Sequence, residues 1–249
     1  MAKIGVKAIV NVMAFILAMG TVAAQSGSSA TSGALKPFAE SLRSHGIEIS
    51  EPSLISALRN GDPEVRSLAA LKLAEDHHFG ATPSIEAALS VERVPSARIG
   101  LASALWTLQD PKGADHLRSM CSDSSLSIYV IVDVVRSLNV INESSAPCAG
   151  FILSYLDTHK DSESRSVALW AFSSMYRWVP RGDADRMAAM LQEMLRAQDP
   201  SVRLGASHAL VEIGQHSFAQ AISDAMSKEQ YPNVRASLQR DLAVLEKKP

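Results

Sequence analysis

The chain reads as an all-α, right-handed solenoid of about six helix pairs, and three observations predict it. The stretch Asp62-Pro63-Glu64-Val65-Arg66 returns as Asp199-Pro200-Ser201-Val202-Arg203, so the chain repeats internally. Behind each copy, apolar residues recur at helical spacing: Ala69, Ala70 and Leu73 after the first, Ala206, Ala209, Leu210 and Ile213 after the second. No strand alternation competes. Residues 128–135 are rich in β-branched side chains, yet the helical register on both sides overrides a strand there.

The first 24 residues read as a secretory signal peptide. Lys3 and Lys7 precede an apolar run over 8–18 broken only by Asn11, and Val22-Ala23-Ala24 places small residues at a cleavage site before Gln25. The whole run, 8–24, is shorter than the ~20 residues of a spanning helix. Cleavage is therefore expected, leaving an exported chain, periplasmic or secreted, with no stable membrane insertion. Residues 25–34 are Ser- and Gly-rich and read as a flexible linker. The solenoid occupies 35–249. It opens with a short capping helix at 35–45, in which Phe38 and Leu42 share a face and Gly46 is the stop.

From residue 53 the chain falls into pairs. The first helices are expected at 53–59, 83–90, 113–121, 146–158, 183–196 and 216–227. Each second helix is anchored on Arg66, Arg98, Ile128 or Tyr129, Arg165, Arg203 and Arg235. Around most anchors the positions one before, three after and seven after are apolar, as in Val65, Ala69, Leu73 and in Val202, Ala206, Leu210. Asp at the N-cap accepts from the first-turn N–H groups, and Pro at the first helical position loses no bond. Asn60-Gly61, Val94-Pro95 and Tyr231-Pro232 supply the breaks between helices.

Composition excludes several classes. Apolar residues make up 47% of the 249, ample for a core, whereas a net charge of −2 offers no basic footprint for nucleic acid. There is no Gly-rich phosphate loop, no Gly-x-Ser-x-Gly and no paired-cysteine motif, so no catalytic residue and no cofactor is expected. His77 and His78 are adjacent and point about 100° apart on a helix, which rules out a two-histidine metal face. Cys121 and Cys148 fall at the end of one first helix and near the start of the next. That register separates them beyond the ~7 Å reach of a disulfide and predicts two buried thiols.

A helical pair whose second member opens with Asp-Pro-x-Val-Arg resembles the HEAT repeat family, most of all the short subtype of the phycobilisome lyases. Asp62, Pro63, Val65 and Arg66 match in full, as do Asp199, Pro200, Val202 and Arg203; Asp161 with Arg165, Pro95 with Arg98, and Pro232, Val234 with Arg235 match in part. The resemblance implies that turn aspartates and helix arginines bond across neighbouring repeats, a ladder here made of Asp62, Arg66, Arg98, Asp161, Arg165, Asp199, Arg203 and Arg235. It further implies a non-enzymatic scaffold for a protein or an extended peptide. A lyase or chaperone of tetrapyrrole attachment, and a structural spacer in an envelope complex, are the alternatives.

Second helices line the concave side of such a stack. Counting 100° per residue, the open arc holds the positions one and five beyond each anchor. Leu71, Ile99, Trp170 and Leu204 are then apolar residues on a face that solvation does not require to be apolar, with His208 and Arg240 beside them. These six are the expected partner-binding residues, and Trp170 is their centre.

Overall fold

Thirteen α-helices and no strand are found among the residues described by this computed structural model, 38–159 and 161–247. The signal peptide and linker expected at 1–24 and 25–34 lie outside them. The protein is an all-α solenoid of helix pairs, and it divides into two compact units between Met120 and Cys121. None of the described helices is long and apolar enough to cross a membrane.

The first unit contains α1 Phe38–Ser44, α2 Glu51–Ala57, α3 Pro63–Glu75, α4 Thr82–Val91, α5 Pro95–Thr107 and α6 Lys112–Met120. α1 buries Phe38 and Leu42 and packs on α3; Gly46, at φ +75°, ends it. α3 is touched by α1, α2 and α5, and α5 by α3, α4 and α6. Two glycines allow this closeness. A Cβ on Gly100 would stand 1.9 Å from Ser67 Oγ, and one on Gly113 would stand 2.2 Å from the Ala102 carbonyl oxygen.

The second unit contains α7 Ile128–Val140, α8 Ala149–Thr158, α9 Ser162–Met175, α10 Arg181–Met194, α11 Pro200–Ile213, α12 Ala219–Lys228 and α13 Pro232–Lys247. α9 packs on α7, α8 and α11, and α13 packs on α11 and α12.

Backbone bonds set the repeat register. The first helical bond of each long second helix is donated by Arg66, Arg98, Ile131, Arg165, Arg203 or Arg235 to the carbonyl four residues earlier. In α7 the anchor place therefore belongs to Ile131, fully buried, and not to Ile128 or Tyr129. Ser127 caps this helix, its Oγ accepting from Val130 N at 3.4 Å, and that cap moves the register three residues beyond Ile128. Eleven residues past the anchors of α3, α5, α7 and α11 stand His77, Gln109, Asn142 and Gly214, all at positive φ. They end their helices in the left-handed conformation. After α3, α5 and α7 the six-to-one bonds of a Schellman stop follow: His78 N to Leu73 O at 2.9 Å, Asp110 N to Leu105 O at 3.0 Å and Glu143 N to Leu138 O at 2.8 Å.

The expectation of two free thiols is corrected. Cys121 and Cys148 form a disulfide with Cα atoms 4.5 Å apart. Cys121 lies in the turn after α6, and Cys148 ends a single 3₁₀ turn, Ala146–Cys148, that leads into α8. Those two turns meet, whereas a comparison of parallel helix ends had placed the residues apart.

Element bounds also reveal a longer period. α3, the 3₁₀ turn Phe79–Ala81, α4 and the start of α5 recur 137 residues later, without a gap, as α11, His216–Phe218, α12 and the start of α13. Of the 47 residue pairs from Asp62/Asp199 to Leu108/Leu245, 16 are identical. Because the scaffold is so nearly the same, the positions at which the two copies differ become informative.

Candidate functional site

The conserved part of both copies is a clamp. Arg66 donates from Nε to Glu92 Oε2 at 2.6 Å and from Nη2 to Glu92 Oε1 at 2.9 Å, while its Nη1 donates to the carbonyls of Asn60 and Gly61. Arg203 repeats this on Glu229, at 2.7 and 2.8 Å, with Nη1 on the carbonyls of Ala197 and Gln198. Each guanidinium thus ties the turn of its own pair to the turn of the next, which is the planar, two-pronged recognition that only Arg provides. Each carboxylate accepts two further bonds from the main chain: Arg93 and Val94 N–H on Glu92, Gln230 and Tyr231 N–H on Glu229. Burial pushes Glu92 up, but Arg66 and these N–H groups outweigh it and hold the carboxyl below its ordinary 4.5. For Glu229 the Arg203 bond is the largest influence, and the direction is again downward.

This corrects the expected Asp–Arg ladder. Asp62, Asp161 and Asp199 cap their own helices, accepting from the N–H groups of Glu64, Ser164 and Ser201 at 2.8, 2.9 and 2.7 Å. The carboxylates that the arginines grip are Glu92 and Glu229, which were missed. A signal was present, since each glutamate follows its arginine by 26 residues. The other arginines differ. Arg98 donates from Nε to His116 Nε2 at 3.2 Å, and Arg235 donates to the Glu229 carbonyl. Arg165 has Leu191 at the glutamate's spacing, and its buried Nε finds no partner among the described residues.

The two units present their second-helix faces differently. In the first unit the positions five beyond the anchor are Leu71 and Ser103, exposed by 1% and 3%. Ile99, one beyond its anchor, is exposed by 4%. Leu71 and Ile99 are therefore core residues and not open apolar surface.

In the second unit the corrected register adds Arg136, so the same row reads Arg136, Trp170, His208, Arg240. Trp170 is 46% exposed, and the Arg136 guanidinium lies over its ring, 4.7 Å from the centroid. Arg136 also reaches Asp133 at 3.3 Å; burial pushes the Asp133 carboxyl up, and Arg136 pulls it partly back. One turn on, Asn139 joins the two helices. Its Nδ2 donates to the Ser174 carbonyl at 2.8 Å, and its Oδ1 accepts from Trp178 Nε1 at 3.0 Å and Ser145 Oγ at 3.1 Å. Leu204 is half-buried on α11. His208 is exposed, 3.5 Å from Asp241 Oδ2, which Ser207 Oγ also holds at 2.6 Å. Arg240 is exposed and donates to Ser237 Oγ at 2.6 Å.

An exposed tryptophan with its ring fixed by a stacked arginine gives a rigid, amphipathic contact surface, of the residue types that anchor protein interfaces. No group of three or more His, Cys, Asp or Glu able to hold a metal occurs among the described residues.

Paired helices, left-handed stops and turn-to-turn arginine clamps define the class as an α-solenoid of short helical repeats. Residues 149–243 match the HEAT repeats family, and HEAT-like repeats are what this part of the chain carries. Among solved structures, the chain is similar to an engineered protein at 20% identity, over 80% of this chain and 97% of that one, with a TM-score of 0.45. It is also similar to the complex of CpcE and CpcF of phycocyanin lyase from Nostoc sp. PCC7120, at 17% identity over 90% and 98%, with a TM-score of 0.37. No curated protein matches the chain.

Proposed function

We propose that the chain is an exported, non-enzymatic scaffold that holds a protein or extended peptide against the second-helix face of its second unit. The observation that carries this is the divergence of the two copies. They share Asp, Pro, Val, Arg and Glu at the scaffold positions, yet Leu71 and Ser103 of the first copy become His208 and Arg240 in the second. Those replacements lie in the same row as the exposed Trp170 and its stacked Arg136. Export is supported by the Lys3, Lys7 and Val22-Ala23-Ala24 pattern. The Cys121–Cys148 disulfide supports it too, because such bonds persist in oxidising compartments.

A photo-crosslinking residue placed at His208 tests the face. One discrete adduct that disappears on Trp170→Ala and on Arg136→Ala is the expected result. Products no different from those obtained at Ser90, an exposed residue of α4, would count against it. Export is checked by intact mass: the mature chain should begin at Gln25, and a mass that retains residues 1–24 refutes the cleavage.

A further inference from the structure

A cavity of about 730 Å³ opens in the second unit between the turn after Cys121, the start of α7 and one face of α8. Its size is that of a small-ligand site. Three near-parallel rings run along α8 at successive turns. Phe151 and Tyr155 have centroids 6.3 Å apart and planes at 12°; Tyr155 and His159 are 3.8 Å apart at 6°. Tyr129 lines the cavity as well, its hydroxyl committed to Glu163 Oε1 at 3.1 Å and its ring exposed. The disulfide forms part of the wall through Cys121, so the turn facing the rings is covalently tied to the entry of α8.

The remaining lining is uncharged and mixes serine and threonine hydroxyls with Leu126, Ile128 and Pro147. Ser122, Ser124 and Ser154 are exposed on the cavity. No Asp, Glu, Lys or Arg is among the lining residues. That distinguishes it from the two cavities beside the clamps, of about 520 and 660 Å³, which are lined by Arg59, Arg66 and Glu92 and by Arg203, Asp224 and Lys228.

We propose that this cavity binds a neutral sugar, with a pyranose ring seated against Tyr129 and Phe151 and its hydroxyls bonded to Ser122, Ser124 and Ser154. A pyranose has a C–H face that suits an aromatic platform and a rim of hydroxyls that both donate and accept. Serine hydroxyls match that rim in both roles. The absence of charged lining residues selects against anionic and cationic ligands, whose desolvation nothing here offsets. A proline-rich peptide would also use aromatic rings, but its prolines present carbonyls without donors, so it leaves half of the serine capacity unused.

The mature chain is titrated separately with N-acetylglucosamine, its trimer, maltotriose and a proline decamer. Binding is followed by saturation-transfer NMR and calorimetry. Millimolar or tighter binding of at least one sugar is expected, with transfer from the Tyr129 and Phe151 ring protons. Tyr129→Ala should weaken it at least about tenfold. Ser154→Leu, which fills the cavity from an exposed position, should abolish it with an unchanged melting curve. This second variant decides the matter even where Tyr129→Ala fails to fold. Trp170→Ala should leave sugar binding unchanged, so the outcome is independent of the protein-binding face. No transfer to any of the sugars, binding that survives Ser154→Leu, or binding of the proline decamer alone would each overturn the proposal.

Discussion

Arg203 and Glu229 lie 26 residues apart in sequence and meet through two parallel hydrogen bonds, with the glutamate side chain only 1% exposed. Removing one member leaves the other buried and charged, which typically costs ~3–5 kcal/mol. Gln230 and Tyr231 N–H still serve Glu229. The low end, about 3 kcal/mol, is therefore expected for Arg203→Ala in urea melts. Arg165→Ala, whose Nε has no partner among the described residues, should cost less than about 1 kcal/mol. Equal losses at both sites would refute the idea that the glutamate makes the clamp.

Acid should open the clamps. Glu92 and Glu229 are both held below their ordinary 4.5 in the folded state. A depressed carboxylate stabilises the fold fully above its unfolded value and loses that contribution as pH falls through the folded one. Stability should therefore decline as pH drops below about 4.5, and Glu229→Gln should remove part of that slope. Melting temperatures measured from pH 6 down to about 2.5 check it; a wild-type slope retained in the variant would contradict it.

His116 supplies a second acid limb at a different pH. Burial lowers its pKa first, and Arg98, bonded to its Nε2 at 3.2 Å, adds to this. A histidine kept neutral in the folded state favours folding above its unfolded value, 6.5, and that contribution fades as pH falls through the lower folded value. The fall should begin near pH 6.5 and should flatten in His116→Asn, which cannot titrate. Imidazole chemical shifts give the folded value directly, and one at or above 6.5 would be incompatible with this account.

The Cys121–Cys148 bond closes a loop of 27 residues that contains all of α7. The chain-entropy model assigns such a closure about 3–4 kcal/mol. Replacing both cysteines by serine should lower stability by roughly that amount. It should also speed amide exchange in α7 more than in α11, because α7 is rich in β-branched residues with weak helix propensity. Exchange that quickens equally throughout the unit would count against a local staple.

Close helix approach in the first unit rests on Gly100 and Gly113. Gly113→Ala drives a Cβ into the backbone at Ala102 and Trp106 and should cost at least about 1–3 kcal/mol. Gly100→Ala instead meets the Ser67 side chain, so Ser67→Gly should offset part of its cost. A double-mutant cycle should show a coupling of about 0.5 kcal/mol or more between positions 67 and 100, and strict additivity would exclude the contact.

What the amino-acid sequence determined by itself was local. Helix starts are written in Asp62, Asp161 and Asp199, in Pro63 and Pro200, and in the apolar period behind them, because caps and periodicity act within a turn or two. Trp170 was legible as exposed for the same reason, from its angle on a helix. The tertiary structure alone decided which groups meet across a pair. Glu92 and Glu229 become the arginine partners through contacts 26 residues long, and the cysteines bond because two turns converge. It also decided that Leu71 and Ile99 are core, since burial depends on what packs against a face, and no single helix records its neighbours.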